Sequence, residues 1–183
     1  MSSKRYDLRA FEKTPSALQF LSSAELGRSS SGLLQIKYRL LGPLEKLKIP
    51  MLESRPHFKE RLWQTTCFEA FVSGANSSAY RELNFSPSKN WWAADFDSYR
   101  KGSKDKSASK LRPPEIVYEA VSKKEAVMAV RLSSEWTFEV RSGLEWGLCV
   151  ILELLTGEKI HFALEHLKNE PDFHLRESFK TKT

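Results

Sequence analysis

Apolar and polar residues alternate with period two along much of this chain, most clearly between Leu62 and Arg100. Two arms there, 67–72 and 79–86, flank a short polar turn, the pattern of a half-buried β-hairpin. Phe68, Ala70 and Val72 fall on one face together with Leu83 and Phe85. Cys67, Glu69 and Phe71 fall on the other with Tyr80, Glu82 and Asn84. Upstream, 33–41 sets Leu34, Ile36, Tyr38 and Leu40 against Gln35, Lys37 and Arg39, and Gly42–Pro43 ends it. Downstream, 91–99 continues the alternation, with Trp92, Ala94 and Phe96 expected toward the core. Strands are also expected over 17–22, 115–121, 126–132 and 159–166. The nearly continuous apolar run 148–155 fits a strand buried on both faces. Residues before Ala17 read as irregular, 27–32 as a serine-rich loop, and 133–144 as the best candidate for a short helix. Many short strands between turns specify an all-β fold, two antiparallel sheets packed as a sandwich.

With 183 residues, 40% of them hydrophobic, the chain fills one core and not two, so 1–183 is expected to be a single domain. The formal net charge of +6 changes this picture little. Much of the excess lies in 101–114 (KGSKDKSASKLRPP), expected as a flexible, solvated basic loop, and in Lys180 and Lys182 of a short C-terminal tail. Charge so placed outlines no nucleic-acid groove. No apolar run reaches the roughly 18 residues that span a bilayer. The first residues lack the apolar stretch of a signal peptide, and Cys67 and Cys149 are the only cysteines. The expectation is a cytoplasmic protein with reduced thiols, although two positions alone do not decide whether those cysteines pair.

The polar face of the hairpin carries the candidate chemistry. Two carboxylates on one sheet face repel, so a basic side chain, a shared proton, a cation or a hydroxyl-rich ligand must offset them. Sugar sites need carboxylates and amides for paired hydroxyls and an aromatic face for the ring's C–H surface. Glu69, Glu82 and Asn84 supply the first; Trp63, Tyr80 and Trp91 supply the second; Arg100 completes the set. The competing explanation is an ion network in which Arg81, Arg100 or Arg131 neutralises a glutamate. His166, Asp172 and His174 form a weaker cluster. They suit zinc or iron by ligand type, but their spacing matches no familiar metal signature. A His–Asp hydrogen bond pinning the C-terminal segment explains them better. His57 and His161 read as surface residues. For a haem site that uses a methionine ligand, Met51 and Met128 are the internal candidates. No nucleophilic triad motif occurs, and Cys67 reads as a buried strand residue.

Several of these residues also form a recognisable order. Leu62–Trp63, Cys67–Phe68–Glu69–Ala70–Phe71, Tyr80, Glu82–Leu83–Asn84–Phe85–Ser86–Pro87, a tryptophan, then Tyr99–Arg100 resemble the DOMON-like proteins of bacteria. Ala163–Leu164, His166 and Pro171–Asp172–Phe173–His174 look like that family's closing motif. The match spans about 33–179, and more distantly the hairpin is similar to the family-9 carbohydrate-binding modules. The resemblance implies a β-sandwich with a ligand site on one sheet face or its rim, and sugars or haem as the ligands of the wider superfamily. The chain departs from the pattern after Tyr99–Arg100, where Lys101–Gly102–Ser103 stands in place of an expected Gly-Met. No GxGxxG fingerprint supports flavin chemistry. The expected function is a non-catalytic small-ligand-binding module without a cofactor, for a carbohydrate or sugar nucleotide. A haem-binding protein and a ligand-free scaffold are the alternatives.

Overall fold

The computed structural model describes residues 3–104, 107–137 and 143–182. Twelve strands run in chain order: β1 (Lys4–Ala10), β2 (Leu21–Arg28), β3 (Leu34–Leu41), β4 (Cys67–Gly74), β5 (Tyr80–Phe85), β6 (Trp91–Ser98), β7 (Lys101–Gly102), β8 (Glu115–Ser122), β9 (Glu125–Leu132), β10 (Leu144–Glu153), β11 (Lys159–Ala163) and β12 (Thr181–Lys182). Among the described residues there is no α-helix, only short 3-10 turns, and no helix is long and apolar enough to cross a membrane. All strand pairs are antiparallel, in one sheet ordered β1-β2-β3-β9-β8 and a second ordered β7-β6-β5-β4-β10-β11-β1, with β12 against the start of β10. β1 belongs to both sheets: residues 4–8 pair with β2, whereas Arg9 and Ala10 pair with β11. A strand that switches sheets makes the corner of the sandwich.

Between the sheets lies the main core, where Ile36, Tyr38, Leu40 and Met128 face Phe68, Leu83, Phe85, Val150 and Leu152. Trp136 and Trp146, both fully buried, complete it. The hairpin register pairs Phe68 with Phe85 and Ala70 with Leu83, as the alternation predicts. One charge sits on this apolar face: Arg81, opposite Val72, bonds both carboxylate oxygens of Asp95 at 2.6 and 3.1 Å. β10 is buried along most of its length because its second face is covered too, by a smaller cluster of Phe71, Tyr80, Cys149, Ile151, Ala163, Phe173 and Phe179. The C-terminal segment builds that cover. Gly147 lets it approach: a Cβ there would come within 3.0 Å of the Phe179 ring and 3.5 Å of the Phe71 Cβ.

Several expectations need correction. Residues 17–19 form a 3-10 turn rather than a strand, and β2 begins at Leu21. β1 escapes a sequence pattern because only Leu8 of its seven residues is buried. Gly27 and Arg28 belong to β2, not to the following loop. In 101–114, β7 pairs with β6, and Ala108 is buried in the core, so this segment is tethered at both points. Of the helix expected over 133–144, a single 3-10 turn (Ser134–Trp136) is seen, and 138–142 fall outside the described residues. β6 presents Trp91 and Ala93 to the core, and Trp92, Ala94 and Phe96 to the outer face, the reverse of the expected parity. Local alternation favours the wrong parity because Asp95 falls in phase with Trp91 and Ala93; its two bonds to buried Arg81 and the pairing of Phe85 with Trp91 turn that row inward. β11 stops at Ala163, three residues before His166.

Candidate functional site

The outer face of β4–β5–β6 and β10–β11 is the floor of a cavity of about 410 Å³, within the usual size of small-ligand clefts. β4 contributes Glu69 and Phe71, β5 Glu82, β6 Trp92 and Phe96, β10 Ile151 and β11 His161. The walls come from outside the sheet: Trp63 from the 3-10 turn Leu62–Gln64, Arg100 from the turn after β6, and Pro171, Phe173 and His174 from the C-terminal segment. Trp63 and Trp92 meet edge to face, ring centroids 5.2 Å apart. Arg100 adopts φ 53°, a left-handed conformation uncommon outside glycine. Its backbone N–H donates to the Tyr80 hydroxyl at 3.1 Å, which fixes the turn.

Glu69 and Glu82 share this face, as expected, but not as a directly opposed pair. Glu69 stands across from Asn84 and Glu82 across from Phe71, so the carboxylates are diagonal neighbours. Both are buried, Glu69 to 2% exposure and Glu82 to 6%. Glu82 Oε1 accepts from the Asn84 amide at 2.9 Å, whereas Glu69 Oε1 and Asn84 Oδ1 have no hydrogen-bond partner among the described residues. Burial, and then the Glu82 charge, push the Glu69 carboxyl well above the ordinary range; the Cys67 thiol and the distant Lys159 pull back only in part. Burial raises Glu82 to about 7, against the Asn84 bond and the attraction of Arg100. A buried acid that keeps its proton near neutrality can donate as well as accept.

The arginine network that could have quenched this pair is committed elsewhere. Arg81 pairs with Asp95 on the core side, Arg131 with Glu115, and Arg100 with Asp172 at 3.0 Å. Asp172, the best-satisfied carboxylate of the region, also takes bonds from the Tyr99 hydroxyl, the Lys168 ammonium (both 2.6 Å) and the His174 backbone N–H (3.2 Å). Burial alone would raise it, but these bonds and Arg100 outweigh burial and hold it well below the usual carboxylate range. The expected His–Asp side-chain bond is therefore absent. His174 Nδ1 meets the Tyr80 hydroxyl at 2.7 Å, and His166 Nε2 donates to the Arg9 carbonyl at 2.8 Å. Burial, helped by Arg100, lowers His174 to about 4 although Glu82 Oε2 lies 3.7 Å from its Nε2.

Of the residues expected at a ligand site, Trp63, Glu69, Glu82 and Arg100 line the cavity. Asn84 and Tyr80 lie beneath it, fully buried, orienting Glu82 and His174. Trp91 does not belong: it faces the core, where its ring meets Trp136 and Phe58. Its neighbour Trp92 takes the place expected of it. His161, expected as a surface residue, lines the cavity, oriented by Glu12, whose carboxylate takes the Nδ1 contact at 2.6 Å. Glu12 carries no local signal, since it reaches His161 across 149 residues of sequence, and Phe173 is marked only as part of the closing motif. Among the described residues no three His, Cys, Asp or Glu side chains are placed to hold a metal, and His166 and His174 are separately engaged. Met51 is exposed on a loop and Met128 is sealed in the core, so neither borders the cavity. Cys67 and Cys149 are free, buried thiols.

No family model matches the chain, and no curated protein is similar to it. Two solved structures share its architecture. A protein of Bacteroides uniformis, provisionally described as carbohydrate-binding, superposes with a TM-score of 0.62 at 14% identity, covering 96% of this chain and 84% of its own. A family-9 carbohydrate-binding module from Caldicellulosiruptor kristjanssonii, solved with cellotriose, gives 0.54 at 9% identity, over 88% of this chain and 72% of its own. The fold is that of a carbohydrate-binding-module β-sandwich. At these identities the likeness speaks for the fold alone.

Proposed function

We propose that the protein is a non-catalytic carbohydrate-binding module of the DOMON-like type, acting in the cytoplasm, and that its sugar enters the cavity over Glu69 and Glu82. The observation that carries this is the Glu69 carboxyl: 2% exposed, facing the cavity, with one oxygen lacking any partner. An unpaired buried acceptor costs about 1–3 kcal/mol, and a hydroxyl delivered by a ligand removes that cost. Glu82, with its proton held to about 7, supplies donor and acceptor together, as vicinal hydroxyls require. Trp63 and Trp92 offer apolar ring surface beside these acids, matching the two-sided character of a pyranose. The neighbours described as binding carbohydrate support the same reading at the level of the fold.

Titration of the purified chain with glucose, cellotriose and a panel of other sugars in a calorimeter tests it. Saturable binding is expected for at least one sugar, weakened tenfold or more in Trp92→Ala, about 1.4 kcal/mol, with the melting transition retained. Binding untouched in Trp92→Ala would place the ligand elsewhere, and an absorption band in the visible on purification would favour haem.

A further inference from the structure

The polar groups of the cavity narrow the class of sugar, and this step rests on the proposal above. The cations bordering the cavity each have an acceptor of their own. Arg100 and Lys168 are held by Asp172, and the Lys159 ammonium donates to the Trp63 carbonyl at 3.2 Å. His161 is engaged by Glu12, and His174 by Tyr80. Glu69 and Glu82 are left with an amide, a thiol and a neutral imidazole around them, and no cation in bonding contact. Around them stand the rings of Trp63, Phe71, Trp92 and Phe96.

Two buried carboxyls within a ring of aromatic faces are the elements of an ammonium site: the acids accept charge-assisted N–H bonds, and the rings attract the cation through their quadrupoles. We infer that the ligand is an amino sugar whose protonated amine sits against Glu69 and Glu82 while its ring lies along Trp63 and Trp92. Before an amine enters, a proton does its work. Glu69, faced by Cys67, Cys149, Lys159 and Glu82, and Glu82, faced by Asn84, Arg100 and His174, both hold protons more tightly than ordinary carboxyls. When the ammonium enters, it keeps its protons and the carboxyl releases one to solvent, so the local charge is conserved. A sugar nucleotide, whose phosphates are anionic, would draw no charge-assisted bond from protonated acids, and the rim cations Arg100 and Lys168 are already held by Asp172.

The test uses the wild-type chain and three ligands of near-equal ring: glucosamine, N-acetylglucosamine and glucose, titrated at pH 6 to pH 7 in two buffers of different ionisation enthalpy. Glucosamine is expected to bind at least about tenfold tighter than either neutral sugar, with heats that differ between buffers in the sense of proton release. In Glu69→Gln and Glu82→Gln, checked for an intact melting transition, all three sugars are expected to weaken, and glucosamine by about tenfold more than glucose, so that the preference for the amine is lost. Equal or tighter binding of the neutral sugars, or of a nucleotide sugar added as a fourth ligand, would overturn this inference and leave the carbohydrate module standing. Binding of none of them would overturn this inference, and binding of none of the wider panel would overturn the carbohydrate module as well.

Discussion

On the core-facing side of β5, Arg81 is 7% exposed at its side chain and grips Asp95 with two hydrogen bonds. One residue along the same strand, on the other side, Glu82 is 8% exposed at its side chain, has one amide donor, and lies beside Glu69, whose Oε1 has none. Burial is the same; satisfaction is not. A buried ion pair with all its bonds made behaves as part of the scaffold, and breaking it costs stability. A buried acid that the scaffold leaves short of partners is held there at the scaffold's expense, and it becomes useful when something else completes it. Asp172 sits against the same cavity wall as Glu82, yet it belongs with Arg81, because four donors meet it.

The largest test of this contrast is Arg81→Ala. It strands Asp95 in a low-dielectric site, and the expected loss is about 3–5 kcal/mol, similar to that of emptying the core at Phe85 with Phe85→Ala. Urea midpoints for the two variants check it. A loss below 1 kcal/mol for Arg81→Ala would mean that the core-side pair is dispensable and the contrast false.

A smaller loss is expected for Asp172→Ala. It frees Tyr99, Arg100 and Lys168 and unties the C-terminal wall, at about 1–3 kcal/mol, and should weaken sugar capture as the wall loosens. Because the folded carboxyl is held below its ordinary 3.8, its contribution is present above that pH and is lost as pH falls further. Asp172→Asn should therefore flatten the acid limb of the stability profile. An unchanged limb would remove Asp172 from the scaffold side of the comparison.

How much of this was legible before folding depends on how local each decision is. Glu69 and Glu82 share a face because two five-residue alternations had to match, and Phe68 opposite Phe85 leaves one parity open. In β6 alternation points Trp92 inward and Trp91 outward, because Asp95 marks the Trp91 row as polar; pairing with β5 and the Arg81–Asp95 bond reverse it. His161 faces the cavity for the same reason Ile160 and Phe162 face the core, yet its role hangs on Glu12, 149 residues away. The sandwich could be read from strand periodicity. β1 could not, because a corner strand with one buried residue shows no pattern. Nor could the match between Gly147 and Phe179 that lets the C-terminal segment close the cavity.

The smallest effect is the most specific to the cavity. Glu82 is raised from 4.5 to about 7, so its contribution to stability is full below pH 4.5 and is lost as pH rises toward 7. His174 is lowered from 6.5 to about 4, so its contribution is full above pH 6.5 and is lost as pH falls toward 4. Glu69, pushed well above its ordinary 4.5, adds a second slope in the sense of Glu82, so between pH 4.5 and 6.5 the opposing slope of His174 is outweighed and wild-type stability should fall as pH rises. Glu82→Gln should stabilise the chain at pH 8 by on the order of 2 kcal/mol and leave the slopes of Glu69 and His174 opposed, so that its profile is nearly flat between pH 4.5 and 6.5. His174→Asn, whose side-chain oxygen can still accept from Tyr80, should steepen the wild-type slope, with stability rising more sharply as pH falls. Denaturation midpoints at four or five pH values across that window resolve the two. Parallel profiles for wild type and both variants would show that neither group is starved of solvent as its burial implies, and the outer face of the sheet would then be no different in kind from the core.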